Sequence, residues 1–419
     1  MEAGMKRALK WTGFAFLALA ALIVSVSVWA AVRWNAPVSR PVVEVKAPTD
    51  DATLERGKFL YTYSHTCWEC HGDPLDASKP PIGGAKFDLN GLSPQLGVWY
   101  ARNITPDVET GIGGWTDGEI VRAIREGIRK DGTPLFPIMP MTPLHGLSDA
   151  DALALVAYLR TLPALTNEVP PNEASFFAKV MFTLGAIGPM DAIEKPIAAP
   201  ERGPTALYGR YVANHAALCM DCHTPRNLKD GSFYMDSLFA GGSIGFGDTE
   251  GHPSVVFASN ITPDMATGIG SWTEEVFLHF MRTGQGPDGT VRDGHMPYAA
   301  TSRWPDDDLK AVWAFLKTLR PIERQEVHRE FRGAALSEDP KVLGAAMYET
   351  FCARCHGPNG KGGLAADLAL AEVAPTLKDA ELEEYIRHGM EGMNMPGFDK
   401  TLSEAQLKAV MRHVRTFGR

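Results

Sequence analysis

Cys67-Trp68-Glu69-Cys70-His71, Cys219-Met220-Asp221-Cys222-His223 and Cys352-Ala353-Arg354-Cys355-His356 are three copies of one five-residue pattern, and they use all six cysteines of the 419-residue chain. Two thiols separated by two residues on a helical turn reach the two vinyl groups of one porphyrin, and the adjacent imidazole then lies under the iron. A structural zinc knuckle, a thioredoxin-like dithiol and plain disulfides are the competing readings of a CxxC pair. With 12 histidines in the chain, a histidine after all three pairs by chance is on the order of one in tens of thousands. The pattern therefore reads as three covalently bound haem c groups. Cys67, Cys70, Cys219, Cys222, Cys352 and Cys355 are the attachment points, and His71, His223 and His356 are the proximal iron ligands.

Working outward from these sites, the length suits several small domains better than one large core. Each would be small for a core of its own, and a porphyrin supplies the missing apolar centre. The expected fold is mainly α: three tandem small cytochrome c domains, each helical around its haem, preceded by one N-terminal transmembrane helix. The expected boundaries are 1–33 for the anchor, 34–50 for a linker and 51–165 for domain one. A Pro-rich connector with an apolar helix follows at 166–203, then domain two at 204–322, a linker at 323–337 and domain three at 338–419.

Lys6, Arg7 and Lys10 precede an uncharged stretch from Trp11 to Val32, long enough as a helix to cross a bilayer. Ala30-Ala31 leaves open a cleaved signal peptide, although the apolar region is long for one. Basic residues at the start place the N-terminus in the cytoplasm and the haem domains on the periplasmic side of the bacterial inner membrane, in a single pass. The formal charge of −9 becomes −12 once the first 33 residues, four basic and one acidic, are set aside. Nucleic acid is excluded as a partner by that balance.

An internal repeat organises the first two domains. Asn103-Ile104-Thr105-Pro106-Asp107 recurs as Asn260-Ile261-Thr262-Pro263-Asp264, and Thr110-Gly111-Ile112-Gly113 with Trp115-Thr116 recurs as Thr267-Gly268-Ile269-Gly270 with Trp272-Thr273. Asn103 to Met139 and Asn260 to Met296 are both 36 residues, whereas domain three lacks this insert. After Trp115, Thr116 and Glu119 make a capping box, Ile120, Val121 and Ile124 a buried stripe, and Gly127 a C-cap, with parallel segments ending at Gly284 and Gly389.

Each of those glycines is followed by a loop and a Met-Pro pair at Met139, Met296 and Met395. A thioether is a soft ligand for low-spin iron, and proline stiffens the strap that presents it. Methionine is more often core filler, but the register is shared: Met139 to Tyr158, Met296 to Phe315 and Met395 to Val414 are all 19 residues. Met139, Met296 and Met395 are assigned as distal ligands, with His145 and His295 as rival donors. His65 and His215 read as surface or packing residues. Gly57 and Gly209 lie ten residues before their first cysteine and Gly344 eight before Cys352, and each lets a first helix cross a last helix closely. The last helices begin near Ser148, Pro305 and Ser403. In the connector, Phe176, Phe177, Val180, Met181, Phe182 and Leu184 form either a linker helix packed on a neighbouring domain or a docking surface for a membrane or partner subunit.

The run from Cys219 through Thr224-Pro225-Arg226-Asn227, the repeated Asn-Ile-Thr-Pro-Asp blocks, Met296-Pro297-Tyr298 and three haem sites in one chain resemble the triheme cytochrome c subunit of membrane-bound bacterial dehydrogenases. That family includes the electron-transfer subunits of alcohol, gluconate and fructose dehydrogenases and of some molybdenum hydroxylases. The resemblance spans nearly everything after residue 50. It implies a non-enzymatic electron-transfer subunit that receives electrons from a separate catalytic dehydrogenase subunit and passes them to quinone, a soluble cytochrome or an oxidase. The first motif departs from the family in lacking the Thr-Pro extension. A free-standing membrane-anchored shuttle, or a haem enzyme with one open iron site, is the alternative.

Overall fold

The computed structural model describes residues 2–419 apart from 75, 92–93, 228–230, 247–253, 293–294, 325–329, 332, 365–369, 391 and 418–419. The chain starts with α1 (Glu2–Arg33), whose stretch from Trp11 to Arg33 is long and apolar enough to cross a membrane. Met1 lies outside the described residues. Three pairs of crossing helices follow, and glycine explains each crossing.

In the first unit α2 (Asp51–Phe59) leads to α3 (Cys67–His71), β1 (Lys86–Asp88), β2 (Gly97–Tyr100), α4 (Asp117–Glu126), α5 (Met141–His145) and α6 (Asp149–Thr161). Gly57 of α2 faces the Ala154 carbonyl of α6 so closely that a Cβ would overlap it. Then come β3 (Glu173–Ala174) and α7 (Phe176–Thr183). The second unit repeats the order with α8 (Ala206–Tyr211), α9 (Cys219–His223), β4 (Gly245–Phe246), β5 (Ser254–Phe257), α10 (Glu274–Thr283), α11 (Tyr298–Thr301), α12 (Asp306–Leu316) and β6 (Glu330–Phe331). Here Gly209 faces the Ala311 carbonyl. The third holds α13 (Pro340–Phe351), α14 (Ala353–His356), α15 (Leu370–Val373), α16 (Asp379–His388), β7 (Gly389–Met390), β8 (Met395–Pro396) and α17 (Glu404–Val414), with Gly344 against the Ala409 carbonyl. Ser148, Pro305 and Ser403 stand at the N-caps of α6, α12 and α17, as the sequence predicts.

Short antiparallel sheets, not anticipated from the sequence, tie the segments between units to the units themselves. The strand β3 pairs with β2 in the register Gly97 with Ala174, and β6 pairs with β5 in the register Ser254 with Phe331. The stretch 34–50 is likewise held on the first unit, through Val38 N–H to the Gly132 carbonyl at 2.9 Å and Ala47 N–H to Asp117 Oδ2 at 2.9 Å. That strap also buries Arg122, which donates to the Arg40 carbonyl at 3.0 Å, so α4 is buried on more than its apolar stripe. The connector helix α7 lies beside α1, with Ala178 and Phe182 in one cluster with Trp99 and Phe136. The helix therefore packs on the first unit through Ala178 and Phe182, while Phe176 and Leu184 stay exposed.

A single buried core runs through units one and two, from Leu60 and Trp68 to Tyr208, Phe277 and Leu316. Unit three has its own core around Met347, Phe351 and Val410, and it recruits Val291 and Tyr298 from unit two.

Candidate haem sites

The path into the first two motifs is built the same way. Helices α2 and α8 each continue into a π-helical turn, Leu60–Ser64 and Val212–Ala216, and each turn is soon followed by a residue in the left-handed region, Thr66 (φ 47°) and Leu218 (φ 57°). Non-glycine residues adopt that conformation only when their surroundings impose it. These two devices take up the extra residues between glycine and first cysteine. In the third unit, where the spacing is shorter, α13 runs straight to Cys352.

The motif histidines of units one and two are oriented from behind. His71 Nδ1 donates to the Arg102 carbonyl at 2.7 Å, and His223 Nδ1 donates to the Ser259 carbonyl at 2.7 Å. Fixing the proton on Nδ1 leaves the Nε2 lone pair free for a metal, the usual arrangement behind a ligating imidazole. Burial pushes both imidazoles below their ordinary value, so each is neutral and competent to ligate at pH 7. His356 is pushed down to about 4 by burial, and its Nδ1 has no partner among the described residues.

The repeated Asn-Ile-Thr-Pro-Asp segment is what places those carbonyls. Arg102 and Ser259 directly precede Asn103 and Asn260. Asn103 Nδ2 donates to the Leu165 carbonyl at 2.8 Å and to Thr110 Oγ1 at 2.9 Å; Asn260 Nδ2 donates to the Ile322 carbonyl at 2.7 Å and to Thr267 Oγ1 at 2.9 Å. Sequence reasoning missed the two carbonyls, since any residue supplies one. The signal that could have found them is that the third unit lacks both the insert and the tether.

The sulfurs fit a covalent porphyrin. The six cysteines form no disulfide, and burial pushes the Cys67, Cys219 and Cys352 thiols up to about 12 and Cys70 and Cys355 up to about 11. In unit three a cavity of about 360 Å³ is lined by Cys352, Cys355, His356 and Met395. A largely apolar hollow beside two thiols and an imidazole suits haem.

The Met-Pro pairs lie after the capping glycines. Gly127 and Gly284 end α4 and α10 in the left-handed conformation, and the space beside them is filled by Met141 and Tyr298 respectively. Met141 is thus core filler at the position where unit two has tyrosine. Met139 and Met296 are half-buried against the core, two residues earlier in the same register. In unit three Met390 pairs with Met395 across β7 and β8, and Met393 shares the cavity, so Met395 is singled out by register alone.

Among the rivals, His145 Nδ1 donates to the Arg125 carbonyl at 3.0 Å, while His295 is half-buried. His65 and His215 are packing residues between units one and two: His65 Nε2 donates to the His215 carbonyl at 3.0 Å, and His215 Nδ1 to the Pro143 carbonyl at 2.9 Å. The Thr-Pro-Arg-Asn extension folds back on its own motif, with Arg226 paired to Asp221 and stacked 4.2 Å from the Phe233 ring centre.

Comparison with known proteins agrees with this chemistry. Residues 54–163 match the cytochrome c family, and residues 341–414 match the family described as cytochrome c oxidase, cbb3-type, subunit III. The chain is 30% identical over 392 residues to the cytochrome c subunit of alcohol dehydrogenase (quinone) from Gluconacetobacter polyoxogenes, covering 88% of this chain and 81% of the relative. It is 28% identical to the fructose dehydrogenase cytochrome subunit of Gluconobacter japonicus over 77% of this chain and 68% of the relative. It is 27% identical to the gluconate 2-dehydrogenase cytochrome c subunit of Pantoea cypripedii, over 87% and 86% respectively.

Proposed function

The chain belongs to the family of cytochrome c subunits of bacterial alcohol, fructose and gluconate dehydrogenases, and from that premise we propose that it is a triheme, membrane-anchored member with three tandem cytochrome c domains. As an electron-transfer subunit it leaves substrate oxidation to a separate catalytic dehydrogenase subunit. Electrons from that partner go on to quinone, a soluble cytochrome or an oxidase.

The observation that carries the three-haem reading is the recurrence of CxxCH at three crossings of the same helix pair, each with a glycine facing an alanine carbonyl. Cys67 and Cys70, Cys219 and Cys222, and Cys352 and Cys355 would hold the porphyrins. His71, His223 and His356 would ligate from the proximal side and Met139, Met296 and Met395 from the distal side. Bound haem supplies reversible one-electron chemistry at iron, and two protein ligands per iron favour electron transfer over ligand activation. The chain's own contribution is to fix the ligands. Carbonyls 102 and 259 orient two imidazoles, and the Met-Pro straps are stiffened beside capped helices.

The apolar helix from Trp11 to Arg33 supports anchoring. Its basic N-terminal flank supports a cytoplasmic N-terminus with the haem domains in the periplasm. The test is the intact mass of the mature protein purified from membranes in detergent, together with the identity of its co-purifying subunit. Three haem adducts and a flavin, quinoprotein or molybdenum partner are expected. Fewer than three adducts, or an apolar leader missing from the mature protein, would falsify the corresponding part.

A further inference from the structure

The two variable residues inside each CxxCH turn lie between the anchoring cysteines, so what they touch fixes where that turn sits. In the first motif one of them is Glu69, and in the third one is Arg354. These residues, 285 positions apart, form an ion pair, Arg354 Nη2 to Glu69 Oε2 at 3.2 Å, with both side chains 20% exposed. The other oxygen, Glu69 Oε1, is buried and has no hydrogen-bond partner among the described residues.

Further contacts hold the same two turns together. Gly362, just after the third motif, has φ +91°, and the Asp76 carboxylate from just after the first motif occupies the space a side chain would need. Unit two closes the arrangement from the side: Arg303 Nη2 donates to the Leu364 carbonyl at 3.1 Å, and Arg282, Tyr298 and Ser302 line the cavity beside Cys352 and Cys355.

A partly solvated ion pair contributes little net stability, yet this one joins two cofactor-attachment turns from opposite ends of the chain. We propose that Glu69–Arg354 is a positioning pair that holds the first and third haem-attachment turns against each other, so that electrons exchange directly between the first and third sites and not only by way of the second. The three sites then form a cluster and not a linear chain. This rests on the three-haem reading above. Each exchange oxidises one iron and reduces another by one electron, with no bond made or broken.

The test uses the full-length protein in detergent, comparing Glu69→Arg, Arg354→Glu and the charge-swapped double variant with the unaltered chain. Haem number is read by mass, the three potentials by spectroelectrochemical titration, and electron redistribution after pulse reduction by transient absorption. Each single variant is expected to slow redistribution several-fold, with Arg354→Glu lowering one potential and Glu69→Arg raising another. The double variant is expected to restore the rate. Where a single variant fails to take up all its haem, Glu69→Gln and Arg354→Gln make the same comparison without reversing charge. Unchanged redistribution and potentials in fully loaded variants overturn the positioning role, whereas fewer than three haems in the unaltered chain overturns the three-haem reading instead.

Discussion

At the scale of single residues, the asparagines of the repeat act through the backbone one residue away. Asn260→Ala removes four hydrogen bonds, two donated by Nδ2 and two accepted by Oδ1 from Thr262, and frees the Ser259 carbonyl from its position behind His223. A weaker Nδ1–H bond makes the imidazole a poorer electron donor to iron. The expected outcome is a raised potential for one haem in spectroelectrochemical titration, with haem content unchanged. On the distal side, Met296→Ala should abolish the near-infrared sulfur-to-iron charge-transfer band of one haem and lower its potential. Met141→Leu, at the packing position over Gly127, should leave every such band intact; loss of a band there would reverse the assignment. The cysteines, histidines and Met-Pro pairs were legible in the sequence because side-chain chemistry and spacing mark them. The carbonyls of Arg102 and Ser259 were not, because a main-chain oxygen carries no sequence signature of its own.

At the scale of elements, the recurring device is a glycine in the first helix of a unit set against an alanine carbonyl in the last. No side chain fits there, so Gly209→Val forces α8 and α12 apart. By analogy with overpacked cores it should cost about 1–3 kcal/mol, measured as a lower thermal midpoint. Ser403 caps α17 by accepting from Gln406 N–H at 3.3 Å, and Gln406 Oε1 accepts from Ser403 N–H at 2.9 Å. Ser403→Ala should therefore cost about 1 kcal/mol. Helix starts, caps and crossings were readable because they depend on local composition. The small sheets were not: β3 and β6 are two-residue strands, too short for any alternation to show, and they exist only because each meets a partner strand far away in the chain.

At the scale of the whole molecule, units one and two are joined by a buried polar knot. Arg56 donates two 2.7 Å bonds to Asp151, and the Tyr211 hydroxyl from unit two donates to Asp151 Oδ2 at 2.7 Å. Burial alone would raise the Asp151 carboxyl, but Arg56 and Tyr211 hold it below its ordinary 3.8. Its contribution is thus present above that pH and lost as pH falls through the folded value. His65 at the same interface is pushed down to about 4 by burial, from 6.5. Its contribution is complete above 6.5 and declines between about 6.5 and 4, because the unfolded chain takes up the proton first. Thermal midpoints measured against pH should fall across that window, and His65→Gln should flatten the fall there while leaving the steeper loss at lower pH. The sequence by itself determined the cofactor chemistry, the number of attachment motifs, the duplication and the apolar leader, since all of these are written in residue type and short spacing. Tertiary structure alone decided that the first two units share one core, that the linkers fold back as strands and straps, and that the first and third motifs meet at Glu69 and Arg354. Those are contacts between residues tens to hundreds of positions apart, chosen by which surfaces bury apolar area and satisfy polar groups together, and no local pattern encodes that choice.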